Sequence, residues 1–178
     1  SACLVGSEMC IRDSSQAGGH WYASVLVAEP VTLRRGPSRR QRANGVVGVD
    51  LGVKHLAALS TGELIPNARA GQAQARRLAR LQRALARTER GSRRRERVRR
   101  QISALHHQVA LRRTGMLHEV STRLARDYAI VALEDLNVAG MTRSAAGTLE
   151  HPGKNVAAKA GLNRAILDAG LGTLRAQL

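Results

Sequence analysis

Residues 45 to 65 read GVVGVDLGVKHLAALSTGELI, and this stretch decides the fold. A run of valines closes at Asp50, Leu51-Gly52 makes a tight turn, a second strand runs to Leu59, and Thr61-Gly62 turns into a third. Short apolar runs separated by glycine turns predict an antiparallel meander. Residues 129 to 134, AIVALE, form another short apolar run. Its continuity predicts a strand buried on both faces beside a parallel neighbour. Asp50 and Glu134 therefore each close a buried strand. If those strands are adjacent and parallel, the two carboxylates converge at one end of a sheet.

Between these strands the period changes. From about Ala68 to Arg126, Leu78, Leu81 and Leu85 share one helical face, followed by Val98, Ile102, Leu105 and Val109, and then by Leu117, Val120 and Leu124. Gly91 and Ser92 interrupt the pattern, which predicts two antiparallel helices joined there, with apolar stripes inward and arginines outward. Asp135 to Thr142 reads as a loop, and Val156 to Asp168 and Leu171 to Leu178 return to helical spacing. The architecture expected is α/β, one compact unit with a helical appendage.

Upstream, HWYASVLVAE over residues 20 to 29 alternates and predicts one strand, with Trp21 and Tyr22 as packing residues at its start. RRGPSRRQR over 34 to 42 reads as a basic linker. Residues 1 to 19 differ in composition from everything after them, hold both Cys3 and Cys10, and read as neither helix nor strand. They are set aside as an unrelated or artefactual tail. Two cysteines six residues apart fit neither a zinc ribbon nor a disulfide framework.

The chain carries 29 Lys and Arg against 13 Asp and Glu, for a formal net charge of +16. Solubility alone does not require such an excess, and its clustering points to a polyanionic partner. Lysine occurs only at positions 54, 154 and 159, so 26 of the 29 cations are arginines, whose planar guanidinium can grip phosphate bidentately. The candidates for nucleic-acid contact are Arg76, Arg77, Arg80, Arg83, Arg87, Arg93, Arg94, Arg95, Arg97, Arg99 and Arg100. His106 and His107, in the same region, read as surface histidines. No stretch approaches the ~20 apolar residues of a membrane span, so a membrane role is not expected.

Two neighbouring carboxylates on so basic a protein repel each other, and a divalent cation resolves that conflict. Hard cations such as Mg²⁺ take carboxylate and phosphate oxygens together, and a pair of them can activate water and stabilise a leaving oxygen. Each acid taken singly is equally consistent with a strand end, with Asp50 bonding turn amides and Glu134 pairing with an arginine.

GVVGVDLGVKHLAALSTGE resembles the first RuvC-like motif of the TnpB (OrfB) family of transposon-associated RNA-guided DNA nucleases, and IVALEDLNVAGM resembles the second. LARLQRALARTERGSRRRERVRRQISALHHQVALRR and LHEVSTRLARDY resemble the Arg-rich helical insertion between those motifs, and NRAILDAGLGTLRAQL resembles the helix that follows. The resemblance runs from about Trp21 to the end.

It implies a ribonuclease-H-like (RuvC-like) mixed sheet with an inserted Arg-rich antiparallel helical hairpin. On that scheme residues 20–42 end a preceding domain, and 43–178 are an incomplete nuclease domain with its insertion at 68–126. Asp50 and Glu134 become the first and second metal-binding, catalytic carboxylates of a two-Mg²⁺ site that cleaves phosphodiester bonds. The partners implied are a guide RNA and a target DNA, in a prokaryotic cytoplasm near the nucleoid.

Asp135 and Asn137 match family positions but are expected to hold the loop, Gly52 to permit the turn beside Asp50, and Lys54 to lie exposed near the site. The family's third catalytic Asp and its four-cysteine zinc ribbon do not appear, and Asp168 matches a helical position rather than that third ligand. The chain is thus expected to be a fragment truncated at both ends and inactive alone as a nuclease. Two other classes compete. One is a non-catalytic nucleic-acid binder that works through the basic helices. The other is an actin-like ATPase, whose phosphate loop would carry hydroxyl residues where Val53 and Lys54 stand.

Overall fold

The computed structural model describes residues 10–27 and 36–178. They form an α/β protein of two compact units. One comprises the described residues up to 27 with Gln74–Leu111; the other comprises Gly36–Ala73 with Arg112–Leu178.

The second unit is built on a four-stranded mixed sheet. Strands β3 (Val46–Leu51), β4 (His55–Leu59), β5 (Leu64–Pro66) and β6 (Ile130–Leu133) lie in the order β5-β4-β3-β6. The predicted meander is present: β3 pairs antiparallel with β4, and β4 with β5. Gly62 sits at φ 90° in the β4–β5 turn, a conformation that favours glycine. Period-two alternation puts Val47, Val49 and Leu51 in the core and leaves Val46 and Asp50 exposed.

β6 pairs parallel with β3, as its apolar run predicts, but it is not buried on both faces. Val131 and Leu133 are half-buried, whereas Ile130 is 59% exposed and Ala132 and Glu134 are also open. The reason is position. The core cluster packs only against the side of β6 that carries Val131 and Leu133, so Ile130 and Ala132 on the other side stay open.

Three helical segments cover the core face. These are the 112–127 stretch of α3 (Arg93–Asp127), α5 (Val156–Ala169) and α6 (Leu171–Gln177), which contribute Leu117, Val120, Leu124, Ile166, Ala169, Leu171 and Leu174 to one cluster with the sheet. Gly170, at φ 71°, separates the last two helices.

The expected basic linker contains a short helix, α1 (Arg39–Asn44). Ser38 and Gln41 form a reciprocal capping box at its start. Gln41 and Asn44 donate to the carbonyls of Ala125 and Asp127, which holds α1 to the end of α3. A four-residue helix, α4 (Val138–Met141), likewise lies inside the expected loop, capped by Asn137.

In the first unit, β1 (Cys10–Ala17) pairs antiparallel with β2 (His20–Leu26), so half of the segment expected to be unstructured is a strand. Gly18 and Gly19, at φ 60° and 89°, make the two-residue turn that closes this ribbon. Trp21 is 74% exposed and does not pack as expected, because a two-stranded ribbon has a face with nothing behind it. Tyr22 does find a partner: its hydroxyl hydrogen-bonds His107 Nε2 at 2.6 Å. The far end of the strand predicted over 20 to 29, and Cys3, lie outside the described residues. The remainder of this unit is drawn from α2 (Ala70–Ala86) and from the first half of α3.

Candidate functional site

The parallel register pairs Val46 with Ile130, Val47 with Val131, Gly48 with Ala132 and Val49 with Leu133. Asp50, still within β3, and Glu134, the first residue after β6, come next along the two chains. Neighbouring strands lie about 4.8 Å apart, and residues side by side in a parallel pair share a face. Val49 and Leu133 face the core, so the two carboxylates lie on the opposite, exposed face at the same end of the sheet.

Among the described residues neither carboxylate has an ion-pair or hydrogen-bond partner. Two unit charges ~5 Å apart in water repel by roughly 1 kcal/mol or less, so the arrangement is tolerable without a ligand. A cation between them converts that repulsion into attraction. The described residues contain no group of three or more His, Cys, Asp or Glu able to hold a metal.

The residues around this pair are occupied otherwise. Asp135 pairs with Arg175 at 2.5 Å, and Asn137 Oδ1 accepts from the Gly140 amide at 2.9 Å. Leu136 N–H donates to the Glu134 carbonyl, tightening the turn as the chain leaves β6. Both side chains thus organise the loop after the strand. Gly52 does not have a left-handed φ; a Cβ there would sit 3.1 Å from the His55 carbonyl, a tight contact that favours glycine in this turn. Lys54 lies exposed in the same turn. Asp168 is remote from metal chemistry: its carboxylate accepts from the Gly71 and Gln72 amides at 2.7 and 3.1 Å, capping the start of α2.

The arginines fall into two groups. Arg95 is half-buried and donates to the carbonyls of Leu85 and Thr88, closing the end of α2, and Arg99 lies 3.6 Å from Glu96. Arg76, Arg77, Arg80, Arg83, Arg87, Arg93, Arg94, Arg97 and Arg100 are exposed and have no acidic partner among the described residues.

Two constellations were not legible in the sequence. His107 joins β2 to α3 through Tyr22, and its ring lies 6.2 Å from that of His20. Asp127 bridges Arg40 and Arg126 at 2.9 Å each. The hydrogen bond from Arg126 holds the Asp127 carboxyl below its ordinary range, against the opposing effect of burial. The same bond raises Arg126. Ser38-x-x-Gln41 was the available signal for the helix that brings Arg40 to Asp127. For the His107 contact, the Gly18-Gly19 turn signals the ribbon but not its partner.

Comparison with known proteins adds a family. Residues 24–145 match the OrfB_IS605 family model, described as a probable transposase. The chain is 41% identical over 164 residues to the Escherichia coli K12 protein named "Putative RNA-guided DNA endonuclease InsQ", covering 92% of this chain and 40% of that one. A protein of the same designation from Streptomyces pristinaespiralis is 34% identical over 93% of this chain and 36% of its own length. Another, Rv2885c of Mycobacterium tuberculosis, is 36% identical over 86% and 33%. The chain therefore spans between a third and two fifths of these relatives.

Proposed function

The chain belongs to the OrfB_IS605 family, and on that premise we propose that it carries the central part of the nuclease domain of an RNA-guided DNA endonuclease, with Asp50 and Glu134 as two of its metal-binding carboxylates. The observation that carries this reading is the parallel register, which sets the two acids side by side on an open face with no other partner. The mixed sheet is then a ribonuclease-H-like sheet over residues 43–178, and the Arg-rich helices within 68–126 are its inserted antiparallel hairpin.

The residues fit Mg²⁺, since paired carboxylates are its usual protein ligands and it keeps several waters that phosphate oxygens can replace. When bound, the ion supplies activated water and charge stabilisation for phosphodiester cleavage. What the chain itself supplies is position. The register fixes the two carboxylates at a strand-to-strand spacing, Gly52 lets the backbone turn away directly after Asp50, and the Asn137 cap with the Asp135–Arg175 pair fixes the backbone after Glu134. The exposed arginines contact the phosphates of the guide RNA and target DNA, independently of sequence.

Manganese titration followed by electron paramagnetic resonance tests the centre: the chain should bind Mn²⁺ weakly, and Asp50→Asn or Glu134→Gln should each abolish binding with the urea midpoint unchanged. Unaltered Mn²⁺ binding in both variants would remove the site. With only a pair of acids, this polypeptide alone should not cut DNA. Strong Mg²⁺-dependent cleavage, abolished by Asp50→Ala, would overturn that expectation. A second reading, a nucleic-acid binder without catalysis, is favoured by the lack of a third acid beside the pair among the described residues. Under it both substitutions leave nucleic-acid binding intact and no Mn²⁺ is held.

A further inference from the structure

We propose that Arg76, Arg80, Arg83 and Arg87 form a rail for consecutive phosphates of one nucleic-acid strand, set apart from the other exposed arginines by their alignment on one helix face. The inference rests on the nucleic-acid reading above and narrows it to a face. At about 100° per residue, these four positions fall within an arc of roughly 60°, while Leu78, Leu81 and Leu85 lie on the opposite side. Burial follows that division: the three leucines are half-buried and the four arginines are exposed. Arg80, Arg83 and Arg87 line a shallow groove floored by Ala84, whose single methyl leaves room for a backbone to lie between the guanidiniums.

Charge and spacing both suit a phosphodiester chain. Helix α2 contains no acidic residue, and none of the four arginines has an acidic partner among the described residues. The steps of four, three and four residues correspond to about 6, 4.5 and 6 Å along the axis, roughly 16 Å in all. Successive phosphates of one strand lie roughly 6 to 7 Å apart, a little more than the mean step of the row, so the four cations lie along about three to four phosphates. Arg95 shows what a committed arginine looks like in the same unit: it is half-buried and tied to two carbonyls. Arg76, Arg80 and Arg87 keep all their donors for a ligand, and Arg83 spends only its Nε, on the Ala79 carbonyl at 3.4 Å.

The test is the salt dependence of binding by the full chain to a labelled 20-nucleotide single strand of mixed sequence and to its duplex. Each phosphate contact contributes about 0.7 to the log–log slope on single strands and about 0.9 on duplex DNA. R76Q/R80Q/R83Q/R87Q should lower the slope by about 3, and the pairs R76Q/R80Q and R83Q/R87Q by about half that each. R39Q/R42Q/R112Q/R164Q removes the same charge from scattered exposed positions and should change the slope by less than about 1. Equal losses in the two quadruple variants would overturn the rail and leave only net charge, and so would an unchanged slope in the rail variants. A flat salt dependence in the unaltered chain would defeat the nucleic-acid reading itself. The pair variants carry the test if the quadruple one fails to fold.

Discussion

The two units of this protein spend their apolar residues in opposite ways. In the sheet-bearing unit, strands and helices contribute to one cluster in which Val47, Leu56, Leu117, Leu124, Ile166, Leu171 and Leu174 are almost wholly enclosed. In the Arg-rich unit only Val98 and Leu105 are buried among the described residues, and Trp21, Leu26 and Leu111 lie open. The carboxylate pair sits on the first, where a packed sheet fixes the ends of two strands. The exposed candidate arginines without acidic partners sit on the second, whose surface carries more charge than core. A metal pair needs positions held to within fractions of an ångström, whereas phosphate contacts by long side chains do not.

Core truncation tests that contrast with the largest effect. Leu124→Ala, at 1% exposure, should cost about 3 to 4 kcal/mol in urea unfolding, and Leu105→Ala about 2, because its half-buried neighbours Ile102 and Val109 can close around the space. An equal or larger loss at Leu105 would break the distinction between the units. Hydrogen exchange sharpens it further: amides of β3 and β4 should be protected more strongly than those of β1 and β2.

How far the sequence foretold these units follows the same line. The β3–β5 meander, the parallel pairing of β6 with β3 and both long helices were legible, because each depends on local periodicity and on one topological rule. What was missed depends on long-range partners. Ile130 and Ala132 stay open because the core cluster packs only against the other side of β6, which no six-residue window reveals. Strand β1 is signalled by Gly18-Gly19, but the composition of residues 1 to 19 differs from the rest of the chain and masks that hairpin signal. Helix α1 was hidden under its basic charge despite the Ser38–Gln41 box. Arg95 is indistinguishable in sequence from its neighbours, and only its contacts with Leu85 and Thr88 separate it from the exposed set.

An intermediate effect is expected at Asp168, an acid whose role is structural. Asp168→Ala removes the acceptor for two amides in the first turn of α2 and should cost about 1 kcal/mol, with faster exchange at Gly71 and Gln72. Mn²⁺ binding should be unaffected. A drop in Mn²⁺ affinity with unchanged stability would instead make Asp168 a ligand and redraw the site.

The smallest effect belongs to Asp127, where the sheet-bearing unit uses arginine for its own structure. The Arg126 hydrogen bond depresses the carboxyl in the folded state, so the unfolded chain binds this proton more readily. The stabilisation is therefore complete at neutral pH and is lost as pH falls through the ordinary carboxyl range near 4 and on toward the lower folded value. Arg40 and Arg126 are 60% and 62% exposed, so solvent and salt screen both pairs and the contribution is modest. Asp127→Asn should slightly lower the urea midpoint at pH 7, and the difference from the unaltered chain should shrink below about pH 4. A difference that persists undiminished at pH 2.5 would assign the effect to the backbone contact between Asn44 and the Asp127 carbonyl rather than to charge.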